Sequence, residues 1–325
     1  MKQHVDRQQI FISGGAGFIG ANLVKYLLDR DDCDITVYDN LSEGSKENLD
    51  KAIEDSQKRG KVKFIQGDIL DFDKLANSIS GHNAVVHLAA FTNVVESIKN
   101  PKEGLTVNSV GTFNVLDAAR IHNVDKFVFA SSNAAVGEQI PPINETMVPK
   151  PLSPYGAVKL YGEALCSAYY HSYGLKTVSL RFANVYGPYS SHKTSVVAKF
   201  LKRARQGQPL EIYGDGNQTR DFIHAEDISQ AIHLILMGDN ISTMDWGEVF
   251  QIATGQETRI IDLAETINNL SGSAEQSISF GMEINGEIRR NFSDIRKSRE
   301  VLGFQPKKHF RQTVEHLVDR LANDL

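Results

Sequence analysis

Two cysteines in 325 residues are too few for a disulfide framework. Cys33 and Cys166 are therefore expected to be reduced thiols, as in intracellular proteins. The chain also lacks any run of about 18 apolar residues, and residues 1–9 contain no apolar signal core. These absences predict a cytoplasmic protein that is not associated with a membrane.

An excess of positive charge is missing as well. The sequence has 35 Lys and Arg against 40 Asp and Glu, a formal net charge of −5. Because nucleic-acid binding requires a basic surface, no nucleic-acid partner is expected. With 41% hydrophobic and 23% charged residues, the composition is that of an ordinary globular protein larger than one average domain. No metal site is predicted.

What is present in the first half is an alternation of short β-branched runs with helix-length segments, which is typical of βαβ units and a parallel sheet. The predicted strands are Gln9–Ser13, Ile35–Asp39, Val62–Gln66, Ala84–Leu88, Phe127–Ser131 and Thr177–Arg181. The predicted helices are Ile19–Arg30, Asp73–Ser80, Thr106–His122, Pro154–Tyr173 and Ala225–Met237.

After about Arg181 the alternation loosens and turn-rich stretches appear, which indicates a second, smaller region. The predicted fold class is α/β, a Rossmann-type doubly wound parallel sheet with a smaller interleaved C-terminal α/β substrate domain. Residues 1–182 with about 222–238 are assigned to the cofactor domain, and 183–221 with 239–325 to the substrate domain.

One of the predicted helices carries a regular set of apolar residues. Their spacing suggests a single buried helical face. They are Leu105, Val110, Phe113, Leu116 and Ala119.

The first chemical motif is the glycine pattern Gly14-x-x-Gly17-x-x-Gly20, which follows an apolar strand and opens a helix. The first glycine permits a tight turn, the second lets backbone approach a pyrophosphate, and the third lets helix and sheet pack closely. The helix N-terminus adds free N–H groups and a positive dipole end. With Phe18 and Ile19 in the same turn, the pattern predicts a dinucleotide site.

Asp39 ends the second predicted strand, where an acid can accept both hydroxyls of an adenine ribose and would repel a 2′-phosphate. Asn40 and the two residues after it include no arginine to receive such a phosphate, so NAD is favoured over NADP. Asp68 ends the third strand and could meet the adenine amine. A helix N-cap or loop acid is the alternative interpretation of Asp68.

Tyr155 and Lys159 lie four residues apart and therefore share one helical face. A tyrosine has an unperturbed pKa of about 10, and a nearby ammonium and a positive nicotinamide both favour the phenolate. Ser131 and Ser132 end the fifth strand, at the sheet edge where ligands bind in open α/β folds. The combination predicts proton transfer beside a nicotinamide, with a serine hydroxyl holding the substrate oxygen.

Further motifs follow in a fixed order along nearly the whole chain. The set comprises Gly14–Gly20, Asp39-Asn40, Asp68-Ile69, His87–Ala90, Asn108, Ser131-Ser132, Tyr155–Lys159, Arg181–Pro188 and Gly214–His224. It resembles the extended short-chain dehydrogenases/reductases, specifically their NAD-dependent nucleotide-sugar epimerase/dehydratase branch and the UDP-glucose and UDP-N-acetylglucosamine 4-epimerases within it.

The resemblance implies a role for each matching residue. The catalytic residues would be Ser132, Tyr155 and Lys159. The cofactor-binding residues would be Gly14, Gly17, Phe18, Ile19, Gly20, Asp39, Asn40, Asp68, Ile69, Leu88, Ala89, Ala90, Asn108, Tyr155 and Lys159. The substrate-binding residues would be Ser132, Asn133, Asn184, Val197, Tyr213, Arg220, Arg289 and Asn291.

Within these sets, the resemblance implies that Asn108 supports the active-site helix and that Asn184 contacts the nucleotide-sugar diphosphate. Arg220 would offset the charge of that diphosphate. The alternative for Arg220 is a surface ion pair with Asp215 or Asp221.

Two positions separate the members of this branch. Relatives that eliminate water carry an acidic pair directly after the serine position, but Asn133 and Ala134 stand there and neither is a general acid. Uronate decarboxylases usually have a glutamate at the position of Ala134. The implied reaction is 4-epimerisation: Tyr155 takes the 4-hydroxyl proton, hydride passes from C4 to NAD, and it returns to the opposite face of the 4-keto sugar.

The resemblance also bears on the substrate. Asn291 would lie against the sugar's 2-substituent, where a small residue admits an N-acetyl group, unless it only caps a loop. Many relatives have an arginine where Ile284 stands, so either Arg289 or Arg290 would bind the diphosphate instead, or the diphosphate would be held differently. Lys193 would meet a substrate carboxylate, as in a uronic or muramic acid derivative, or would be solvated.

Other interpretations stay open at this point. A UDP-uronate or UDP-muramate 4-epimerase would use the same machinery, whereas a nucleotide-sugar reductase or decarboxylase would consume or release NAD(P)H. A dinucleotide-sensing regulator usually lacks the tyrosine or the lysine. His87 is interpreted as a packed residue with a satisfied hydrogen bond, and His224 would lie near the nucleotide or support the Arg220 loop. A homodimer is implied through the helices at Thr106–His122 and Pro154–Tyr173.

Overall fold

A computed structural model describes residues 7–30, 33–57, 59–190, 193–238, 244–270, 277–283 and 288–323. Its strands are β1 Gln9–Ser13, β2 Asp34–Asp39, β3 Lys61–Gln66, β4 Ala84–His87, β5 Lys126–Ser132, β6 Lys176–Phe182, β7 Asn184–Tyr186, β8 Leu210–Tyr213, β9 Thr219–Arg220, β10 Phe222–His224, β11 Glu248–Ile252, β12 Thr258–Arg259 and β13 Ile278–Gly281.

The helices complete the inventory of the described residues. They are α1 Phe18–Arg30, α2 Lys46–Glu54, α3 Phe72–Ile79, α4 Val94–Lys99, α5 Pro101–Leu105, α6 Gly111–Ile121, α7 Pro154–Tyr173, α8 Val196–Arg205, α9 Ala225–Met237, α10 Ile260–Leu270, α11 Arg296–Leu302 and α12 Phe310–Asn323. A π turn covers Thr106–Val110 and a 3₁₀ turn covers Asn133–Ala135. None of the described helices is long and apolar enough to span a bilayer.

Seven strands form one parallel sheet in the order β11-β6-β5-β4-β1-β2-β3. Its central strands are almost continuously buried, as expected for a parallel sheet covered on both faces. The strand order reverses beside β1, and ligands bind at such a switch point. The predicted Rossmann-type fold is confirmed.

Helices cover both faces of this sheet. On one face, Leu23 of α1 and Ile228 of α9 lie in a core cluster with Ile10 and Val128 of the sheet. The second cluster joins Phe127 of β5 to side chains of α3, α6 and α7. These two apolar layers hold the strand ends in place, and the polar residues of the site project from those ends.

A smaller region has its own core, formed by α8, β8, α10 and α12. In it β8 pairs with β13, while β7 pairs with β10 and β9 with β12 in separate two-stranded sheets. One boundary predicted from the sequence is wrong. Glu248–Ile252 was assigned to the substrate domain, but it pairs with Val178–Phe182 and completes the large sheet.

The helix predicted at Thr106–His122 is divided. The π turn at Thr106–Val110 precedes α6 and changes the phase of the side chains. Leu116 and Ala119 are fully buried, whereas Leu105, Val110 and Phe113 are 41% to 46% exposed. The prediction of one buried face for these five residues is therefore wrong.

The helix α7 has the predicted bounds because its sequence carries strong end signals. The hydroxyl of Ser153 caps it by accepting the N–H of Gly156 at 3.1 Å, and Pro154 occupies the first turn. Gly174 ends it in the left-handed conformation, at φ 74°. Tyr155 and Lys159 consequently lie in its first two turns, near the carboxyl ends of the strands.

Candidate active site

The glycine turn is closely packed at Gly14 and Gly20 and less crowded at Gly17. Gly14 has φ +76°, and a Cβ there would lie 2.4 Å from the backbone N of Ala89. At Gly20 a Cβ would lie 2.3 Å from the carbonyl of Gly14. At Gly17 the nearest atom would be 3.2 Å away, within the same turn. The turn therefore leaves backbone accessible where a dinucleotide diphosphate would approach, and these residues fit NAD.

Asp39 secures this turn from the end of β2. Its carboxylate oxygens accept the N–H groups of Ala16 at 3.0 Å and Leu41 at 2.8 Å. Burial raises the pKa of the carboxyl, and these two hydrogen bonds oppose the shift. Asp39 thus has a structural task in addition to the ribose contact predicted from the sequence. Phe18 is buried beneath the turn and Ile19 is half-buried.

Asn40 and Asp68 meet across the ends of β2 and β3. The side-chain amide of Asn40 donates to Asp68 Oδ2 at 2.9 Å, and Asp68 Oδ1 accepts the N–H of Leu70. The cap of α3 is Asp71, so Asp68 is not a helix cap. Ile69 is buried in the sheet-helix core. Asp68 is therefore joined through Asn40 to the end of β2, where Asp39 contacts the glycine turn.

The loop after β4 forms the opposite wall. Leu88 and Ala89 both donate their N–H groups to the carbonyl of Ser13, at 2.9 and 3.0 Å. The side chain of Asn108 exchanges two hydrogen bonds with the backbone of Phe91, at 2.8 and 2.9 Å. Asn108 therefore ties the π turn to the loop that contains half-buried Ala90.

His87 is a packed residue, as one interpretation of the sequence had it. Its Nδ1 lies 2.7 Å from Ser13 Oγ and its Nε2 lies 3.0 Å from Thr112 Oγ1. Burial, and secondarily the charge of Lys159, lower its pKa to about 3. The imidazole is therefore neutral in the folded protein at physiological pH.

This neutral histidine makes folding sensitive to acid. The unfolded side chain binds a proton below about pH 6.5 and the folded one only near pH 3, so stability from this residue falls as the pH drops through that window. By pH 5 the loss is about 2 kcal/mol. We expect His87→Gln to lose less free energy of unfolding than wild type between pH 7.5 and 5 in urea titrations. His171→Gln, at an exposed position on α7, is the control, and equal pH slopes in all three proteins would contradict the prediction.

The three predicted catalytic residues lie close together where β5 ends and α7 begins. Lys159 is buried and donates from Nζ to the carbonyl of Ala130 at 2.7 Å. The same Nζ lies 5.7 Å from the ring centroid of Tyr155. Ser132 hydrogen-bonds the phenol, and its Oγ also accepts the N–H of Ala134 at 3.2 Å. A base, a hydroxyl and an ammonium thus share one site.

Burial dominates the electrostatics of the pair. Burial raises the pKa of Tyr155 to about 12, and the hydrogen bond from Ser132 lowers it only in part. Burial lowers the pKa of Lys159 to about 8, with the carboxylate of Glu163 opposing that shift. The protein residues therefore keep the phenol protonated, and proton transfer requires a further positive charge beside it, such as the nicotinamide ring considered in the sequence analysis.

A buried ion pair behind the site was not predicted. Arg181 Nε and Nη2 donate to the two carboxylate oxygens of Glu163, at 2.8 and 2.7 Å. The hydroxyl of Ser131 donates to Glu163 Oε1 at 2.5 Å. Both charged side chains are at most 4% exposed. The sequence signal was present, since Arg181 interrupts an apolar strand and Glu163 follows Lys159 by one helical turn.

Two of the predicted substrate residues contact each other. The amide of Asn133 donates to Asn291 Oδ1 at 3.3 Å and to Ser293 Oγ at 3.0 Å. Asn133 follows Ser132 directly in the sequence, and both Asn133 and Asn291 are buried, at 6% and 8% exposure. Nothing local in the sequence indicates this pairing over 158 positions. The position after Ser132 is therefore joined to the predicted substrate-size residue.

The remaining predicted substrate residues lie on the smaller region and its junction. Arg220 donates to the carbonyls of Thr219 and Ile288, at 2.7 and 2.8 Å. Asp215 binds Arg289, and Asp221 accepts hydrogen bonds from Thr254, Gly255 and Ser293.

Other positions in this group differ widely in exposure. Asn184 and Arg289 are exposed, Tyr213 is 39% exposed at the end of β8, and Val197 is 3% exposed in the core of the smaller region. Ile284 lies outside the described residues. Arg289 and Arg290 line a cavity of about 450 Å³ together with Asn217, Thr219, Glu257, Arg259 and Asp262.

His224 caps the start of helix α9. Its Nδ1 accepts the N–H of Glu226 at 3.2 Å at the start of α9, and its ring packs edge-on against Tyr186. Burial lowers its pKa to about 4. Among the described residues, no group of three His, Cys, Asp or Glu side chains is arranged to hold a metal ion.

Comparison with known proteins agrees with this geometry. The model of the NAD dependent epimerase/dehydratase family matches residues 10–253. The UDP-glucose 4-epimerase of Mycolicibacterium smegmatis is 34% identical over 317 residues, which cover 96% of this chain and 98% of that protein. A dTDP-glucose 4,6-dehydratase of Streptomyces niveus is 33% identical over 326 residues, covering 97% and 94%.

Solved structures are similar over almost the full length. A UDP-N-acetylglucosamine 4-epimerase from Methanobrevibacter ruminantium, in complex with UDP-N-acetylmuramic acid, has a TM-score of 0.88 and 30% identity, covering 98% of this chain and 99% of that one. The Thermus thermophilus UDP-glucose 4-epimerase in complex with NAD has a TM-score of 0.85 and 30% identity, covering 98% and 100%.

Proposed function

The chain belongs to the NAD dependent epimerase/dehydratase family, and we propose that it is a UDP-sugar 4-epimerase acting on UDP-glucose or UDP-N-acetylglucosamine. It is an enzyme of this family whose cofactor is NAD. The observation that carries the proposal is the sequence after the active-site serine. Ser132 is followed by Asn133 and Ala134, which cannot protonate a leaving hydroxyl, whereas 4-epimerisation needs no such acid.

The contacts around Ser132 support this choice. The amide of Asn133 is engaged by Asn291 and Ser293. The nearest acid on α7, Glu163, is held by Arg181 and Ser131 behind the site. The described residues therefore provide a base and hydrogen-bond donors beside the sugar, which suit reversible oxidation and reduction at one carbon.

In the proposed mechanism Tyr155 accepts the proton of the sugar 4-hydroxyl, and Ser132 hydrogen-bonds the same oxygen. When bound, NAD supplies reversible two-electron oxidation at C4. Lys159 is charged below about pH 8, and it orients the ribose and adds positive charge near the phenol. After the 4-keto sugar has turned over, Tyr155 returns the proton. The presence of both Tyr155 and Lys159 disfavours a purely sensing role.

Asn291 supports a site that admits an N-acetyl group. It is a short residue fixed by Asn133 at the position that the family resemblance assigns to the sugar's 2-substituent. A carboxamide also offers both a donor and an acceptor to an acetamido group. UDP-N-acetylglucosamine is therefore included in the proposed substrate range.

We also propose a homodimer formed by α6 and α7. Several large apolar and aromatic side chains on and beside these helices are 39% to 60% exposed, and contiguous exposed apolar patches mark interaction sites. A four-helix contact between two copies would cover them. They are Leu105, Val110, Phe113, Tyr161 and Tyr173.

The function is tested by incubating the purified protein, without added NAD, with UDP-glucose, UDP-N-acetylglucosamine and UDP-glucuronate separately. Proton NMR of the anomeric region then follows each sugar. We expect galacto-configured products from the first two sugars, because the proposed reaction inverts the configuration at C4. Added NAD is not required, since the reaction regenerates the cofactor in each cycle.

Other outcomes would contradict the proposal. Loss of C5 or C6 proton signals would indicate dehydration or decarboxylation. Conversion of UDP-glucuronate alone would indicate a uronate epimerase. Net formation of reduced nicotinamide would indicate an oxidoreductase or a decarboxylase.

A further inference from the structure

The segment after β7 docks on the cofactor domain. The side-chain amide of Asn22, on α1, donates to the carbonyl of Pro188 at 2.9 Å. The ring of Tyr189 packs with Ala21 of α1 and Ala52 of α2, and its hydroxyl donates to Asp55 at 2.7 Å. These helices follow the glycine turn and β2, so the segment is fixed directly beside the dinucleotide site.

Lys193 extends from this segment across the site. Its N–H donates to the carbonyl of Ser190 at 2.8 Å. Its Nζ lies 3.3 Å from Thr92 Oγ1, after β4, and 3.8 Å from the carboxylate of Glu43, after β2. Because β2 and β4 flank β1, the ammonium spans the two loops on either side of the glycine turn.

These two contacts do not account for the burial of Lys193. Its side chain is only 22% exposed, and burial lowers the pKa of the ammonium while Glu43 opposes the shift. An ammonium has three N–H donors, and a hydroxyl at 3.3 Å and a half-exposed carboxylate at 3.8 Å are weak partners. The position is therefore suited to a stronger anion.

Neighbouring cations are directed elsewhere. Lys46, at the start of α2, bonds to Asp50 on its own helix. Lys159 donates to the carbonyl of Ala130 in the catalytic site. Of these three lysines, Lys193 is the one whose ammonium contacts both the loop after β2 and the loop after β4.

We propose that Lys193 is a cofactor ligand whose Nζ donates to the diphosphate of NAD above the glycine turn. The helix N-terminus of α1 supplies amides and a partial positive charge, and Lys193 adds a full charge and a charge-assisted hydrogen bond. This inference concerns how NAD is bound and does not depend on the reaction at the sugar.

The test compares Lys193→Met with Lys193→Arg and Lys297→Met. Lys297 is a matched control, since its side chain is 30% exposed and paired with Glu248 on the distant edge strand β11. NAD retained through gel filtration is measured by absorbance after denaturation. NAD-free protein is then titrated calorimetrically with NAD, ADP and adenosine. We expect Lys193→Met to bind NAD and ADP at least about tenfold more weakly and adenosine unchanged, while both other variants resemble wild type.

Two results would overturn the inference. One is wild-type affinity of Lys193→Met for NAD and ADP. The other is an equal loss for adenosine, which would indicate damage to the pocket rather than a lost diphosphate contact. Should Lys193→Met keep NAD but lose UDP-glucuronate relative to UDP-glucose, the lysine would serve a substrate carboxylate instead. None of these measurements depends on epimerisation, so the proposed function is tested separately.

Discussion

Tyr155→Phe is expected to lower the rate of epimerisation by about 10²- to 10⁴-fold, the usual contribution of a general acid–base group. The substitution removes the phenolic proton carrier and its hydrogen bond with Ser132, and it leaves the ring in place. Lys159 continues to donate to Ala130, so the surrounding structure and the bound NAD are expected to be unchanged. The measurements are the NMR rate with UDP-glucose, the NAD content and the melting temperature.

Tyr161→Phe is the matched control for this experiment. Tyr161 lies on the same helix, and Tyr161→Phe keeps the ring that the proposed dimer contact would use, so removing its hydroxyl should leave the rate within a factor of about two. If Tyr155→Phe kept more than a tenth of the wild-type rate, another residue would carry the proton. If it lost NAD or melted at a much lower temperature, the rate loss would not report on catalysis.

Arg181→Met should destabilise the protein by about 3–5 kcal/mol, because it leaves the Glu163 carboxylate uncompensated in the core. The hydroxyl of Ser131 remains as a partner, but it cannot neutralise the charge. The double variant Glu163→Leu/Arg181→Met should regain most of the loss, since replacing a whole buried ion pair by apolar residues is often nearly neutral. Urea denaturation at pH 7.5 measures the free energy of unfolding.

An exposed pair of the same geometry provides the control. Arg290 donates to both oxygens of Glu257 at 2.7 and 2.8 Å, but the two side chains are 54% and 27% exposed. Arg290→Met should therefore lower the free energy of unfolding far less than Arg181→Met does. Equal losses for Arg181→Met and Arg290→Met would show that burial does not set the strength of the Glu163–Arg181 interaction.

Six of the seven strands of the large sheet, β1 to β6, were predictable because each carries a local signal, whereas β11 was not predicted. An apolar β-branched run produced β1, and Ser153, Pro154 and Gly174 mark the ends of α7. The helix α2 was missed because its composition is polar, with only Leu49 and Ala52 buried. Its amphipathic pattern is too short to separate it from a polar loop.

The site was predictable only where a motif holds several functional residues together. Tyr155 and Lys159 share a helix face, so their proximity follows from their spacing. Asn133 and Asn291 meet through tertiary structure over 158 positions, and no local pattern encodes that contact. The pKa of Tyr155 was also beyond sequence reasoning, because it is set mainly by burial.

The place of β11 in the sheet has a consequence for how the chain folds during synthesis. Strand β6 pairs with β11 along Val178–Phe182, and β11 ends only at Ile252. Until the ribosome has released that stretch, the apolar residues Val178 and Leu180 belong to an open sheet edge, which is a template for misplaced strands. The intervening segments of the smaller region emerge first. The pairing of β6 with β11, which are far apart in the sequence, is therefore expected to form late. Fragments that end before β11 should be prone to aggregation.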